Sequence, residues 1–205
     1  MSRPSTAHDA WEVLRTGNQN FMSGTPAHPR QDADLRRSIA TAQKPFAAIF
    51  GCSDSRLAAE MIFDVGLGDL FVVRNAGQVI AETILGSLEF AVEVLEVPLI
   101  IVLGHDQCGA IKATMNSADG NLNLKGKYIH NLVGRILPSV TRGRLAGEST
   151  IEELTQRHVS DTLDELLERS EIIASAVAAG KLGVVGANYR LELGEVALIA
   201  QKGSL

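Results

Sequence analysis

The sequence has few cysteines, no basic tract and no long apolar run, and each of these features argues against a class of protein. Only two cysteines occur in 205 residues, too few for a disulfide framework, so each is expected to be buried, catalytic or metal-bound. There is no Lys/Arg-rich tract, and the net charge of -5 disfavours a nucleic-acid partner. No run approaches the roughly 18 apolar residues of a membrane span, and the N-terminus lacks the apolar core of a signal peptide. We therefore predict a cytoplasmic protein with neither a nucleic-acid nor a membrane partner.

The composition is that of a single globular domain. Hydrophobic residues make up 45% of the chain and charged residues 21%, which is typical of a soluble enzyme with a sizeable core. Neither a break in composition nor an internal repeat divides the sequence. We therefore expect one domain.

Apolar runs alternate with helical patterns along the chain. The last apolar run, 195–200, is expected to return antiparallel at the edge of a sheet. The helix predicted at 150–179 opens with Ser149 as its cap and Glu152 three residues later, a capping-box pattern. This order predicts an α/β domain with a mainly parallel central sheet of about four strands plus an antiparallel edge strand, flanked by helices. Buried strands are predicted at 46–50, 70–74, 99–103 and 182–187, and further helices at 57–64, 81–96, 110–115 and 127–140.

The N-terminal part of the chain is predicted to form a helical arm. Within 10–24, apolar residues such as Trp11 and Leu14 recur near helical spacing, and a second short helix is predicted at 32–43. The apolar face of the arm can fold back on its own domain or lie on a partner chain. The sequence leaves both arrangements open.

Chemically active side chains follow two of the predicted strands. Cys52, Asp54 and Arg56 occupy alternating positions after the first strand, so an extended backbone places them on one side. His105 and Cys108 follow a later strand, and the start of the next helix and a bound metal would both favour a thiolate at Cys108. Since functional groups of open α/β sheets gather beyond the carboxyl ends of strands, the two segments are expected to meet. Two thiolates and one imidazole, with a fourth position for Asp54 or water, would make a catalytic zinc site. The alternative is that the cysteines and the histidine are separately buried structural residues.

Several motifs resemble those of the β-class carbonic anhydrases. The resemblance covers nearly the whole chain and is greatest to actinobacterial members. The matching segments are Cys-Ser-Asp-Ser-Arg at 52–56, Gly-x-Gly-x-x-Phe-Val-Val-Arg-Asn at 66–75, Gly-Ser-Leu-Glu-Phe-Ala-Val at 86–92 and Gly-His-x-x-Cys-Gly at 104–109.

The resemblance implies a carbonate dehydratase, which catalyses the reversible hydration of CO2 to bicarbonate and a proton. One Zn2+ per chain is expected on Cys52, His105 and Cys108, with zinc-bound hydroxide as the nucleophile. Asp54 is expected to orient that hydroxide, and Arg56 to hold Asp54 in place. In a closed state Asp54 would itself be the fourth zinc ligand, which predicts an activity that grows with pH as hydroxide displaces it.

The resemblance also implies one domain over 1–205, with the helical arm at 1–44 and the zinc-binding α/β core at 45–205. Assembly into homodimers or homotetramers is expected, with the active site at the interface and Gln43 or Phe90 supplied across it. On the sequence alone, Gln43 is equally well explained as a polar helix end. The substrate-binding residues that the resemblance implies are Gln43, Phe71, Ala76, Phe90 and Gly109.

Two other functions remain open. Some relatives with the same metal ligands act on carbonyl sulfide or carbon disulfide, so such a hydrolase on the same scaffold is the first alternative. The second is a zinc or thiol redox sensor that uses Cys52 and Cys108. A structural zinc site would have no need of the pair formed by Asp54 and Arg56, which favours an enzyme.

The remaining polar residues are assigned no chemistry. Arg74 is interpreted as one half of a structural ion pair near the sheet. The histidines outside the motifs are predicted to be solvated at the surface, and they are His8, His28, His130 and His158.

Overall fold

A mixed sheet forms the centre of the protein. The computed structural model describes residues 3–205, so Met1 and Ser2 of the predicted domain lie outside it. The strands in this range are β1 (Ala47–Cys52), β2 (Leu70–Asn75), β3 (Leu99–His105), β4 (Gly183–Arg190) and β5 (Glu195–Lys202). They lie in the order β2-β1-β3-β4-β5, in which the first four are parallel and β5 is antiparallel. The predicted fold class and the antiparallel edge strand are confirmed.

The sheet is covered on both faces because its central strands are apolar throughout. Every residue of β1 and β3 is buried, as is usual for parallel strands between two helical layers. Successive side chains point to opposite faces, so Ile49 and Ile101 enter one core while Phe50 and Val102 enter the other. The pairing of β1 with β3 therefore sets their carboxyl ends side by side.

Helices flank the sheet on both faces. No helix in the described part of the chain combines the length and the apolarity that crossing a bilayer requires. A short 3-10 turn spans Ala76–Gln78. The α-helices of residues 3–205 are α1 (Ala7–Met22), α2 (Ala33–Ser38), α3 (Ala59–Ile62), α4 (Glu82–Glu93), α5 (Gly109–Ala118), α6 (Lys127–Leu145), α7 (Ile151–Arg169) and α8 (Glu171–Ala178).

The prediction of one helix over 150–179 is wrong. The helices α7 and α8 meet at Ser170, whose backbone is extended and whose hydroxyl accepts a hydrogen bond from the Ile173 N–H. The capping box also begins one residue later than expected. Thr150 Oγ1 accepts from the Glu153 N–H at 3.1 Å, and the Glu153 carboxylate accepts from the Thr150 N–H at 2.9 Å. The expected pair has the same three-residue spacing, so the pattern alone does not distinguish the two starts.

The N-terminal helix α1 folds back on its own domain. Trp11 and Leu14 are buried in the core that α1 shares with the sheet. The buried Asn18 amide donates to the carbonyl oxygens of Ile62 at 3.1 Å and Gly194 at 2.8 Å. These contacts tie the helix to the end of α3 and to the turn between β4 and β5, so the structure adopts the first of the two arrangements that the sequence left open.

Candidate metal centre

Three side chains with metal-binding atoms meet at the carboxyl ends of β1 and β3. Cys52 ends β1, His105 ends β3, and Cys108 directly precedes α5. Their ligand atoms all lie within 4.8 Å of one another, and all three residues are buried. The two strands are neighbours in the sheet, so segments about fifty residues apart converge on one point.

The imidazole of His105 is oriented by its own main chain. Its Nδ1 lies 2.7 Å from the Asp106 carbonyl oxygen, which can only accept, so Nδ1 carries the proton. The other nitrogen, Nε2, is buried and has no hydrogen-bond partner in the described residues. Asp106 is held in turn, since its N–H donates to the Tyr189 carbonyl at 3.1 Å and its carboxylate accepts the Leu191 N–H at 2.9 Å. A lone pair of His105 is thereby presented to the two thiols.

The two neighbouring thiols shift each other's pKa in opposite directions. The hydrogen bond from Cys108, aided by the Gly77 N–H, lowers the pKa of the Cys52 thiol. The hydrogen bond to Cys52, together with burial, raises the pKa of Cys108. The N–H groups at the start of α5 favour a thiolate but do not outweigh these two effects. The helix terminus alone therefore does not ionise Cys108, and the expected thiolate depends on the bound metal as well.

A thiophilic divalent cation fits this donor set. It would neutralise the second thiolate, which the neighbouring charge and burial otherwise disfavour. It would also engage His105 Nε2, whose burial without a partner is otherwise costly. Two thiolates and an imidazole are ligands that Zn2+ accepts. The residues present are therefore compatible with zinc.

Asp54 and Arg56 form a bidentate pair beside the three ligands. Arg56 Nε donates to Asp54 Oδ1 at 2.9 Å and Nη2 to Oδ2 at 2.8 Å, while the Arg56 main-chain N–H adds a third bond at 3.0 Å. The pairing with Arg56 holds the pKa of Asp54 well below its usual range. Asp54 Oδ2 is 3.9 Å from His105 Nε2, but the carboxylate stands outside the group of mutually close ligand atoms. In this arrangement Asp54 is engaged by Arg56.

Arg74 supports the same loop by contacts that the sequence did not reveal. Its Nε donates to the Cys52 carbonyl at 2.9 Å and its Nη2 to the Asp54 carbonyl at 2.7 Å. The interpretation as half of an ion pair is wrong, because both partners are main-chain oxygens. The register of β2 on β1, which pairs Arg74 with Gly51, places the guanidinium there.

The predicted substrate-binding residues fall into two groups. Ala76 and Gly109 lie next to the metal ligands. Ala76 follows Asn75, which pairs with Cys52 in the sheet, and Gly109 follows Cys108. Phe71 and Phe90 contact each other, with ring centroids 6.1 Å apart.

The second group stands away from the metal ligands in the same chain. Phe71 pairs with Ala48, four residues before the end of β1, which is roughly 13 Å along a strand. Gln43 is exposed and precedes β1 in the chain, whereas Cys52 is the last residue of that strand, roughly 17 Å from the first residue, Ala47. A single chain thus leaves Gln43, Phe71 and Phe90 apart from the three ligands.

A groove of about 630 Å³ lies between α6 and α7, away from the three ligands. His158 lines it and is only 5% exposed, so its assignment to the solvated surface is wrong. The side chain is on the face of α7 that packs against α6, and the same helical face carries the buried Leu154 and Thr162. That spacing of four residues was the signal in the sequence. His8, His28 and His130 are exposed as predicted.

Comparisons with known proteins agree with this geometry. A sequence model of a family described as Carbonic anhydrase matches residues 47–196. A Mycobacterium tuberculosis protein named Carbonic anhydrase 2 is 50% identical over 196 residues, which cover 96% of this chain and 94% of the relative. The solved structure of the β-carbonic anhydrase CcaA matches with a TM-score of 0.72 and 27% identity, over 96% of this chain and 93% of its own. A structure from Sordaria macrospora, described as a tetrameric β-carbonic anhydrase, has a TM-score of 0.74 and 21% identity, over 96% and 98%.

Proposed function

The chain belongs to the β-carbonic anhydrase family and is a carbonate dehydratase, and from this premise we propose that it works with a zinc ion on Cys52, His105 and Cys108. The observation that carries the proposal is the meeting of three buried donor atoms within 4.8 Å, one of them a His105 nitrogen with no hydrogen-bond partner in the described residues. A bound zinc ion would supply hydroxide for attack on CO2 at neutral pH, by lowering the pKa of a water ligand. The surrounding side chains then have to hold and aim the reactants.

Asp54 is the residue proposed to orient the attacking water. Its pairing with Arg56 keeps the carboxylate ionised, so it acts as an acceptor only. Arg56 donates from its main-chain N–H and Nε to Oδ1 and from Nη2 to Oδ2, which fixes the plane of the carboxylate and leaves Oδ2 a further lone pair. Such an acceptor can take a hydrogen bond from the water and direct the water's oxygen towards CO2. Arg56 is therefore the residue that keeps Asp54 available for this task.

Arg74 is proposed to fix the spacing between Cys52 and Asp54. Its guanidinium donates hydrogen bonds to the carbonyl oxygens of both residues, so it restrains the loop that carries the thiol and the carboxylate. Positioning of this kind matters because small displacements of reacting groups lower rates steeply.

We propose that a partner subunit completes the substrate pocket. In the described residues β2 pairs only with β1, so its outer edge is open. Phe90 contacts Phe71 of β2 and is 43% exposed, and Val94, four residues later at the end of α4, is 57% exposed. An apolar surface beside an open strand edge favours association. A homodimer across this edge would bring Phe90 and Gln43 of one chain to the metal ligands of the other. Assembly of such dimers into a tetramer is compatible with this arrangement.

The domain division is part of the same proposal. One domain would span 1–205, with the α1 and α2 region at 1–44 as an arm on the α/β core at 45–205. Residues 47–196, which the family model matches, fall within that core. The cytoplasmic location and the absence of a nucleic-acid partner stay predictions from the sequence.

The test is stopped-flow CO2 hydration by the purified chain after loading with one equivalent of zinc. We expect rapid hydration by the loaded protein and loss of activity in Cys52→Ser, a variant that lacks one proposed ligand. Carbonyl sulfide and carbon disulfide are assayed on the same preparation. Hydrolysis of either sulfur compound without CO2 hydration would assign the alternative substrate class. Loss of zinc on mild oxidation, in a protein inactive on all three substrates, would favour the redox sensor.

A further inference from the structure

His158 is a buried histidine that has no role in the proposed reaction. It contacts Gly77, which in turn contacts the proposed metal ligand Cys52. His158 Nε2 is 2.9 Å from the Gly77 carbonyl oxygen, and its Nδ1 is 3.2 Å from Ser139 Oγ. A carbonyl only accepts, so Nε2 carries the proton and Nδ1 accepts from the Ser139 hydroxyl. Burial also lowers the pKa of His158, which favours this neutral form. The ring is therefore held between α6 and the 3-10 turn as a fixed hydrogen-bond donor.

Gly77 connects this histidine to the metal centre. Its carbonyl accepts from His158, while its own N–H donates to Cys52 Sγ at 3.3 Å. The residue has a φ of 73°, and a Cβ atom there would lie 2.8 Å from both Ala110 and Ile136, so only glycine fits. The turn that carries the N–H is thus enclosed by α5 and α6 and has one carbonyl fixed by His158.

The other restraints on this turn lie at its ends. Asn75 bridges the turn, since its side chain donates to the Val79 carbonyl at 2.7 Å and accepts the Val79 N–H at 2.9 Å. Gln78, the last residue of the turn, is fully buried, and its amide atoms have no partner within residues 3–205. His158 is therefore the side chain that restrains the middle of the turn, at the residue that contacts the thiol.

We propose that His158 is a positioning residue for the metal centre, which acts by holding the Gly77 N–H against the sulfur of Cys52. An N–H directed at a thiolate stabilises its charge and fixes the direction of its lone pairs, and both effects change how strongly the sulfur donates to a metal. Removal of the imidazole N–H would leave the Gly77 carbonyl buried without a partner. The turn would then move to satisfy that carbonyl, and the N–H would leave the sulfur.

The test compares His158→Met with His158→Gln, two unbranched replacements of which only glutamine keeps an N–H donor. The main readout is the sulfur-to-cobalt charge-transfer absorption of the cobalt-substituted protein, which reports thiolate donation directly. The second is zinc affinity by chelator competition. We expect His158→Met to shift the cobalt band and to weaken zinc binding about 10-fold, and His158→Gln to restore both towards the wild-type values.

Leu166→Ala is the control for a general loss of stability. Leu166 is fully buried on the same helix two turns later, and its loss should destabilise the protein without altering the cobalt band. Ser139→Ala is the second probe, because it removes the hydrogen bond to Nδ1 that holds the imidazole ring in position, and we expect a smaller shift in the same direction. It also serves if His158→Met does not fold.

Three results would overturn the inference. The first is a cobalt band and a zinc affinity that stay unchanged in both His158→Met and Ser139→Ala. The second is a shift of the cobalt band in Leu166→Ala as large as that in His158→Met. The third is a folded His158→Gln whose cobalt band and zinc affinity do not return towards the wild-type values. The inference rests on the proposed zinc site, but the two fail differently. A wild-type protein that binds neither cobalt nor zinc refutes the proposed function, whereas normal wild-type binding with unresponsive variants refutes the role of His158 alone.

Discussion

Replacement of Arg56 by alanine separates a catalytic role from a structural one. The three hydrogen bonds from Arg56 hold the Asp54 carboxylate in one plane beside the metal ligands. In Arg56→Ala the two side-chain bonds are lost, and only the main-chain N–H still restrains the carboxylate. Asp54 can then rotate away from the water or approach the metal site itself.

The expected effects on stability and activity differ in size. The Arg56 side chain is 52% exposed, and exposed ion pairs contribute little to stability because solvent screens them. We therefore expect the midpoint of thermal unfolding to fall by no more than about 3 °C. A displacement of about 1 Å in a positioning group lowers rates by roughly 100-fold. We thus expect kcat/KM for CO2 to fall at least about 100-fold while zinc content stays at one per chain.

A matched ion pair elsewhere supplies the control. Arg142 pairs with Asp161 at 2.8 Å and is 55% exposed, which closely matches the 2.8 Å pair of Arg56 with Asp54. Arg142→Ala should lose a similar amount of stability and keep its activity. Stopped-flow CO2 hydration, metal analysis and thermal unfolding are measured on both variants. Normal turnover in zinc-loaded Arg56→Ala would refute the assigned role, as would an equal loss of activity in Arg142→Ala.

Three further variants test the positioning loop, the close contact of α1 and the oligomer interface. Arg74→Leu removes the hydrogen bonds to two main-chain carbonyls, and we expect a lower kcat with bound zinc retained, by stopped-flow assay and metal analysis. Gly17→Ala should lower the free energy of unfolding by at least about 2 kcal/mol in urea denaturation, because its Cβ would lie 1.8 Å from a carbonyl oxygen. Phe90→Glu should shift the oligomer towards monomer in sedimentation velocity and lower activity with it, because it places a charge in the proposed interface.

For each of these variants, one outcome would contradict the prediction. Unchanged kcat in Arg74→Leu would show that the main-chain contacts do not position the loop. Gly134→Ala is the control for Gly17, because its Cβ would contact nothing within 4 Å and the helix should gain up to about 1 kcal/mol. If both glycine variants behave alike, close packing of α1 is not the cause. Leu145→Glu changes another exposed apolar residue, and an equal loss of oligomer there would argue against the β2 edge.

The convergence of the metal-binding side chains was predictable because it follows from strand order. Cys52 and His105 each end a continuously apolar segment, and such segments pair as parallel strands with their carboxyl ends together. The pairing of Asp54 with Arg56 could also be predicted from the sequence, because the two residues are only two positions apart. The break between α7 and α8 could not be predicted, because the sequence around Ser170 does not distinguish a serine within a helix from one that caps the next helix.

The sequence by itself determined the α/β class, the antiparallel edge strand, the family and the three side chains that converge. These depend on local periodicity and on residues at strand ends, which are visible in short stretches of chain. Only the tertiary structure decided that α1 packs on its own domain, that Arg74 holds main-chain carbonyls, and that His158 holds Gly77. His158 and Gly77 are 81 residues apart, and one partner is a backbone atom that every residue has. Hydrogen bonds of that kind leave no mark on composition or spacing, so the support around the metal ligands becomes visible only once the chain is folded.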